Sequence, residues 1–442
     1  MARALVVDIG STFTKATLVE LPTGRILGRC DTPTTLGTDV MDGVRAVAAQ
    51  LGDPAAVHDG RVLACSSAGG GLRLAVVGYE RTVTAEAGFR VGLSAGARVV
   101  HVASGRLDQR DLAALIDSRP DIVLLVGGTD GGNADVLSHN GSVLATSALS
   151  GTVPLVVAGN VDAGPDVAAA LEKAGRPHLL AANVLPDIGV VAPEQARTAI
   201  REVFLRHVIG GKGLSDDPLF ARLVRAATPD AVLAGVEILA EVLGQDVLVI
   251  DVGGATTDVY SSVTYRGGDA QPRREVVAQL RFARTVEADL GMRWSAEGVI
   301  ESASRERLDV PAALPRYAAQ LAAHPARLPV DADEQVLDLT IARLAATIAV
   351  RRHARPPFPG EAPRGLTDVG LVLGSGGVLR HAPSSAAAVV LDAVLHDQGG
   401  GWQLPRAPRV GVDAAYLLVV IGLLAAEHPE AARSVARRCL LI

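Results

Sequence analysis

The chain has 442 residues, 49% of them hydrophobic but only 3% aromatic, with 47 glycines and a formal net charge of -6. That length holds two to four domains, whose cores must be packed from alanine, valine and leucine rather than rings. An acidic balance with no block of lysine or arginine argues against nucleic acid and anionic membrane surfaces as partners. Cys30, Cys65 and Cys439 are odd in number and show no C-x-x-C spacing, which argues for a reduced, cytoplasmic protein without a thiolate metal site. No charged segment followed by an apolar one opens the chain. The longest apolar stretch, Ala414 to Ala426, falls short of the roughly 20 residues a membrane span needs.

In chain order, the first element is A-L-V-V-D-I-G-S-T-F-T-K-A-T-L-V-E. An apolar strand runs to Asp8, turns through Gly10, Ser11 and Thr12, and leaves through Lys15 as a second strand. Arg25 to Asp31 reads as a third strand, and Asp39 to Leu51 as a helix with Val40, Val44, Val47 and Leu51 on one face. The short strand Val62 to Cys65 empties into S-S-A-G-G-G-L-R, a loop that can bind a ligand or simply turn. From Arg98 strands and helices alternate: Val99 to Ala103, Asp108 to Ser118, Ile122 to Val126, Leu155 to Ala158, Pro165 to Ala174 and Leu179 to Ala181. Such units make a parallel sheet covered by helices. The domain expectation is therefore a first half over 1-97, an inserted α/β domain over 98-184, and a connecting helix with the second half over 185-442. The loop Gly127 to Asn133 lies at the carboxyl end of a strand, where open α/β sheets bind ligands, but its residues are also common turn formers.

Pro193 to Leu205 reads as an amphipathic helix followed by His207 and Lys212, with no metal-ligand spacing around the histidine. The helix Ala231 to Leu243 leads to L-V-I-D-V-G-G-A-T-T-D-V-Y, in which Asp251, Gly253, Gly254, Thr256 and Asp258 repeat the grammar of the first hairpin. One D-x-G-G tip is more often an ordinary turn. Two matching hairpins, one opening each half, point instead to duplication. Bare backbone at the glycines lets main-chain N–H groups approach an anion, threonine hydroxyls add donors, and carboxylates hold a divalent cation through water. A phosphate and its metal fit such a tip. After a polar turn at Arg266 to Pro272 comes R-T-V-E-A-D-L-G-M-R from Arg284, read either as a solvated helix start or as a face closing on a ligand. Val336 to Arg352 is a helix, P-P-F-P-G-E-A-P-R-G a rigid loop, and G-L-V-L-G-S-G-G-V-L-R a strand entering a turn at Gly374, Gly376 and Gly377. Val412 to Ala426 reads as a buried helix with small residues at Ala414, Ala415 and Gly422.

The paired hairpins followed by a late glycine turn resemble the actin-like ATPase superfamily, which also holds sugar kinases and heat-shock chaperone ATPases. The resemblance implies an α/β fold of duplicated actin-like (ribonuclease H-like) halves with ATP and Mg²⁺ between them, and an adenosine site at Gly374, Gly376 and Gly377 from which a side chain at Gly376 would exclude the base. Gly10, Ser11, Thr12, Gly253, Gly254 and Thr256 would donate to phosphates, Asp8 and Asp251 would hold the hydrated Mg²⁺, Lys15 would offset phosphate charge, and Asp258 would order the hairpin or the attacking water. C-S-S-A-G-G-G-L-R, L-L-V-G-G-T-D-G-G-N, A-N-V-L-P-D-I-G and R-T-V-E-A-D-L-G-M-R are similar to the MutL/GlmL family, the accessory proteins of glutamate mutase, which are distinct from the mismatch-repair protein of the same name. That resemblance implies an ATPase acting as chaperone or reactivating factor for an adenosylcobalamin-dependent carbon-skeleton mutase. The second hairpin departs by Ala255 where chaperone ATPases often carry a third glycine, and no match appears for their catalytic Glu or Gln. The D-x-H-x-x-G cobalamin loop is missing, so this chain is not expected to be the mutase. A small-molecule kinase and a nucleotide-bound, non-hydrolysing scaffold are the competing expectations.

Overall fold

The computed structural model describes residues 2–68, 72–80, 83–95, 97–205, 213–264, 281–356 and 363–438. His207, Lys212, the Arg266 to Pro272 turn, the glycines at 69–71, most of the proline-rich loop and Cys439 lie outside those residues. The chain divides into two compact units, one holding residues up to Gly235 together with Val419–Val435, the other running from Val236 to Leu418.

In the first unit, β1 (Arg3–Ile9), β2 (Phe13–Glu20) and β3 (Arg25–Pro33) form an antiparallel meander, because β1 is buried over six of its seven residues and a short turn follows it. Helix α1 (Val40–Gln50) starts where Asp39 accepts a hydrogen bond from the Met41 amide, and it buries Val40, Val44 and Val47 on the expected face. Strand β4 (Val62–Ser66) then pairs parallel to β1.

The chain next builds a second sheet from β5 (Arg73–Gly78), α2 (Thr84–Ser94), β6 (Arg98–Ser104), α3 (Gln109–Asp117), β7 (Ile122–Leu125), α4 (Asp135–Thr146), β8 (Leu155–Val157), α5 (Gly164–Lys173) and β9 (His178–Leu180), followed by α6 (Glu194–Val203). All its strands are parallel, in the order β6-β5-β7-β8-β9. Leu74–Val77 and Ile122–Leu125 are buried throughout, as befits strands covered on both faces. The sheet thus takes in β5, a strand the sequence reading left in the loop ahead of residue 98. Asp130, Asn160 and Asn183 knit the Gly127 to Asn133 loop to its neighbours, with Asn183 Nδ2 donating to Asp130 Oδ1 at 2.8 Å and Asn160 Nδ2 to the Thr129 carbonyl at 2.7 Å. These bonds brace the loop.

Helix α7 (Pro218–Leu223) and β10 (Val224–Ala227) return the chain to the first sheet, which runs β10-β4-β1-β2-β3, and α8 (Thr228–Leu243) leads out of it. The second unit opens with β11 (Val247–Val252), β12 (Thr257–Ser262) and β13 (Phe282–Glu287). Three helices follow, α9 (Ala296–Arg305), α10 (Leu314–Ala323) and α11 (Ala332–Ala354); then come β14 (Leu371–Ser375), α12 (Gly377–His381), α13 (Ser384–Leu395) and β15 (Arg409–Val412). The sheet order is β15-β14-β11-β12-β13. In both sheets three antiparallel strands continue into two parallel ones, so β10, β4, β1, β2 and β3 correspond to β15, β14, β11, β12 and β13. This is the duplicated α/β architecture expected of actin-like halves.

The last helices are α14 (Leu417–Ala425) and α15 (Pro429–Arg438). The first is shorter than expected, since Asp413 caps it by accepting from the Leu417 and Leu418 amides at 2.7 and 3.0 Å and leaves Ala414 and Ala415 ahead of it. Its Gly422 abuts the Ala231 carbonyl of α8, where any Cβ would collide, so there the small residue does serve a close crossing. No helix of the described residues is long and apolar enough to cross a membrane.

Within the second unit, α11 buries His353 against the sheet, its Nδ1 bonded to Thr285 Oγ1 at 2.9 Å and its Nε2 to Ser261 Oγ at 2.8 Å. Burial, and then the Arg364 charge, push this imidazole well below its ordinary 6.5, so it folds neutral. The unfolded chain takes up a proton below about pH 6.5 that the folded chain refuses, and stability must fall as pH drops through that value. Denaturant titrations at pH 8 and pH 5.5 should therefore show a loss in the wild type that shrinks in His353→Gln; an equal loss in both would place the acid sensitivity elsewhere.

Candidate functional site

The two hairpins share one geometry. Asp8 pairs across its ladder with Lys15 and Asp251 with Asp258, so the sequence-matched carboxylates occupy equivalent positions. The Gly10 amide donates to the Phe13 carbonyl at 3.0 Å, and the Gly253 amide to the Thr256 carbonyl at 2.9 Å. A Cβ on either glycine would sit 2.8 Å from that same carbonyl oxygen, so neither position has room for a side chain.

Beyond these glycines, each tip has its carbonyl groups held from behind. At the first, Thr34 donates its amide to the Thr12 carbonyl at 2.9 Å and its hydroxyl to the Gly10 carbonyl at 2.8 Å. At the second, a strap after β13 does the same: the Met292 amide donates to the Gly253 carbonyl at 2.9 Å, the Arg293 and Trp294 amides to the Gly254 carbonyl at 2.8 and 3.0 Å, and Ser295 Oγ to the Ala255 carbonyl at 2.9 Å. Gly291 lies against Ala255 with no space for a Cβ. No described residue accepts from the amides of Ser11, Thr12, Gly254 or Ala255. With carbonyls tied back and N–H groups left over, each tip has the donor arrangement that an anion cradle needs.

The carboxylates are less open than their sequence positions suggest. Asp8 is buried, its Oδ1 accepting from Thr228 Oγ1 at 2.6 Å and Cys65 Sγ at 3.4 Å, its Oδ2 from Lys15 Nζ at 3.3 Å. Burial and the Asp8 charge push the Cys65 thiol well up, which keeps it a protonated donor. Lys15 thus offsets Asp8 in the structure described. Asp258 accepts from Arg284 Nε and Nη2 at 2.9 and 2.5 Å and from Thr256 Oγ1 at 3.0 Å. The Thr256 hydroxyl is therefore turned inward to Asp258. Arg284 itself is a buried β13 residue, its guanidinium 5.6 Å from the Tyr260 ring centre, so the stretch begins as a strand and not as a solvated helix start.

Among the three turn glycines the structure separates three roles. Gly374 lies within β14, not at its turn, and packs on Leu379 and Leu391. Gly376 has φ +92°, and a Cβ there would strike the Val252 carbonyl and stand 2.9 Å from Asp251 Oδ1. Gly377 opens α12 with nothing within 4 Å of its Cβ position, and it lines a cavity of about 400 Å³. That cavity is confined to the second unit. Gly253, Gly254 and Arg293 border it at the hairpin tip, Leu328, Pro329, Val378 and Pro383 give it aliphatic walls, and Gln335, Asp338 and His381 add polar groups. The volume is that of an ordinary small-molecule site. The sequence reading missed the Arg293 to Ser295 strap, Thr34, Thr228 and Asp338; only Arg293 fell within a stretch it had singled out.

A divalent ion is tested by the donor set. No cluster of three or more His, Cys, Asp or Glu side chains that could hold a metal occurs among the described residues. Magnesium suits this, since it usually keeps its waters and rests on one or two carboxylates together with ligand phosphates. Within the second unit Asp251 is the carboxylate beside the tip that such water-mediated binding would use, while Asp8 of the first unit is engaged by Thr228, Cys65 and Lys15.

The MutL protein family matches residues 4–440. Protein MutL of Clostridium tetanomorphum is 34% identical over 469 residues, covering 99% of either chain. Among solved structures, xylulose kinase of Rhodospirillum rubrum is 15% identical with TM-score 0.36, covering 98% of this chain and 92% of that one. Component A of the (R)-2-hydroxyglutaryl-CoA dehydratase of Acidaminococcus fermentans is 10% identical with TM-score 0.32, covering 98% and 100%. Neither structure is close enough to lend its chemistry. The family match over nearly the full length, together with the relative of equal extent, establishes that the chain belongs to the MutL family.

Proposed function

We propose that this protein binds Mg-ATP, hydrolyses it, and uses the cycle as an accessory or reactivating chaperone for a cytoplasmic adenosylcobalamin-dependent carbon-skeleton mutase of the glutamate mutase kind. The observation that carries the nucleotide part is the second hairpin tip, where Gly253 and Gly254, the latter with a spare N–H, border a cavity that also reaches the open Gly377. Phosphates suit the cradle and a nucleoside suits the aliphatic walls. Mg²⁺, when bound, would neutralise phosphate charge, with Asp251 holding part of its water shell at this tip. The residues of the chain supply what remains: the strap fixes the tip, Lys15 holds Asp8 in place, and Arg284 with Asp258 stiffens the second hairpin.

The mutase partnership rests on family membership. A chaperone must bind its partner differently in two nucleotide states, and linkage then obliges the partner to alter nucleotide affinity in return. The experiment supplies a mutase carrying damaged cofactor with this protein, Mg-ATP and fresh adenosylcobalamin, following both mutase turnover and free phosphate. Recovery that requires this protein and fails with Asp8→Asn is the expected outcome. Recovery without it would discard the chaperone reading, and a phosphorylated small molecule in place of free phosphate would install a kinase.

A further inference from the structure

Asp338 sits on α11 and is buried, yet it lines the cavity. Its Oδ1 accepts from Arg293 Nη1 at 2.9 Å and from Tyr317 Oη at 3.2 Å, and its Oδ2 from Arg293 Nη2 at 3.1 Å. A carboxylate offers about four acceptor positions, so these three bonds leave one on Oδ2. Burial and the neighbouring carboxylate hold the Tyr317 phenol well above its ordinary range, which keeps it a donor. The fork from Arg293 then fixes the plane of the carboxylate, and the same Arg293 gives its amide to the Gly254 carbonyl at the cradle. Asp338 thus lines the same cavity as the tip glycines and the walls of Leu328 and Val378, and Arg293 ties it to the tip. In a nucleotide the group that joins phosphates to base is the sugar.

We propose that Asp338, held by Arg293 and Tyr317, accepts a hydrogen bond from a ribose hydroxyl and so discriminates against the deoxynucleotide that lacks it. This deepens the nucleotide reading and rests on it. A site built around a hydroxyl donor rejects the analogue that lacks it, because the acceptor is then left buried and unpaired. Asp338 is a specificity residue in this role, with no part in bond breaking, so its removal should alter the choice of nucleotide more than the rate of hydrolysis once the site is saturated.

The test is calorimetric titration of the full chain with ATP, 2′-deoxy-ATP and 3′-deoxy-ATP. At least one deoxynucleotide should bind about tenfold more weakly than ATP, the loss of one charge-assisted bond. Asp338→Ala should bring all three affinities together. Tyr317→Phe, which keeps the carboxylate and vacates an acceptor position, should preserve the preference and covers the case in which Asp338→Ala does not fold. Equal affinities in the wild type, or a preference abolished by Tyr317→Phe, would overturn the assignment of Asp338 while leaving nucleotide binding in place. Failure of ATP itself to bind would instead remove the nucleotide reading and this one with it.

Discussion

Gly377→Val is expected to weaken nucleotide binding at least tenfold with little change in thermal unfolding, whereas Gly376→Val, one residue earlier, is expected to cost the second unit several kcal/mol. At Gly377 a new side chain meets no protein atom and projects beside a cavity it helps to line, so what it displaces is ligand. At Gly376 the backbone has φ +92°, and a side chain would be driven into the Val252 carbonyl on the neighbouring strand. Left-handed strain at a non-glycine residue costs about 1–3 kcal/mol and overpacking a similar amount. Together these approach the lower end of a domain's stability, roughly 5 kcal/mol. Paired measurement of ATP affinity and unfolding midpoint separates the two effects. A Gly377→Val chain that binds normally would remove the base from this cavity.

That distinction was not legible in the sequence, where G-S-G-G presents its glycines alike. Spacing finds a glycine turn, but only the strand register shows which glycine faces a backbone, which a leucine pair and which empty space. The duplicated hairpins could be read because strand, carboxylate and turn lie within a dozen residues of one another, the range over which local chemistry dictates shape. β5 was missed because R-L-A-V-V-G follows a glycine run that reads as loop, and its strand character comes from partners β6 and β7, which the chain has yet to make. α4 was missed for the opposite reason. Asn140 and Gly141 weaken its helical signal, yet Asn140 is needed to bond the Leu107 amide and the Gly105 carbonyl, and Gly141 lets α5 approach through Val167. The strap that ties back the tip carbonyls acts largely through main-chain amides, and those leave almost no signature in side-chain identity.

The second large effect concerns Asp258, whose position opposite Asp251 suits either a structural or a catalytic role. Arg284→Met should destabilise the second unit by about 3–5 kcal/mol, because it leaves the Asp258 carboxylate buried without its cation. Asp258→Asn in the same chain should recover most of that loss, since a neutral amide no longer needs the partner and can still accept from Thr256 Oγ1. Unfolding free energies for the two single variants and the double variant give the coupling directly. Phosphate release from the double variant then decides the role. If Asp258 only stiffens the hairpin, turnover should return along with stability, as the strap still holds Gly253, Gly254 and Ala255 from the other side. A folded double variant that binds Mg-ATP but releases no phosphate would instead make Asp258 part of the hydrolytic chemistry, with Arg284 serving to hold its carboxylate in place.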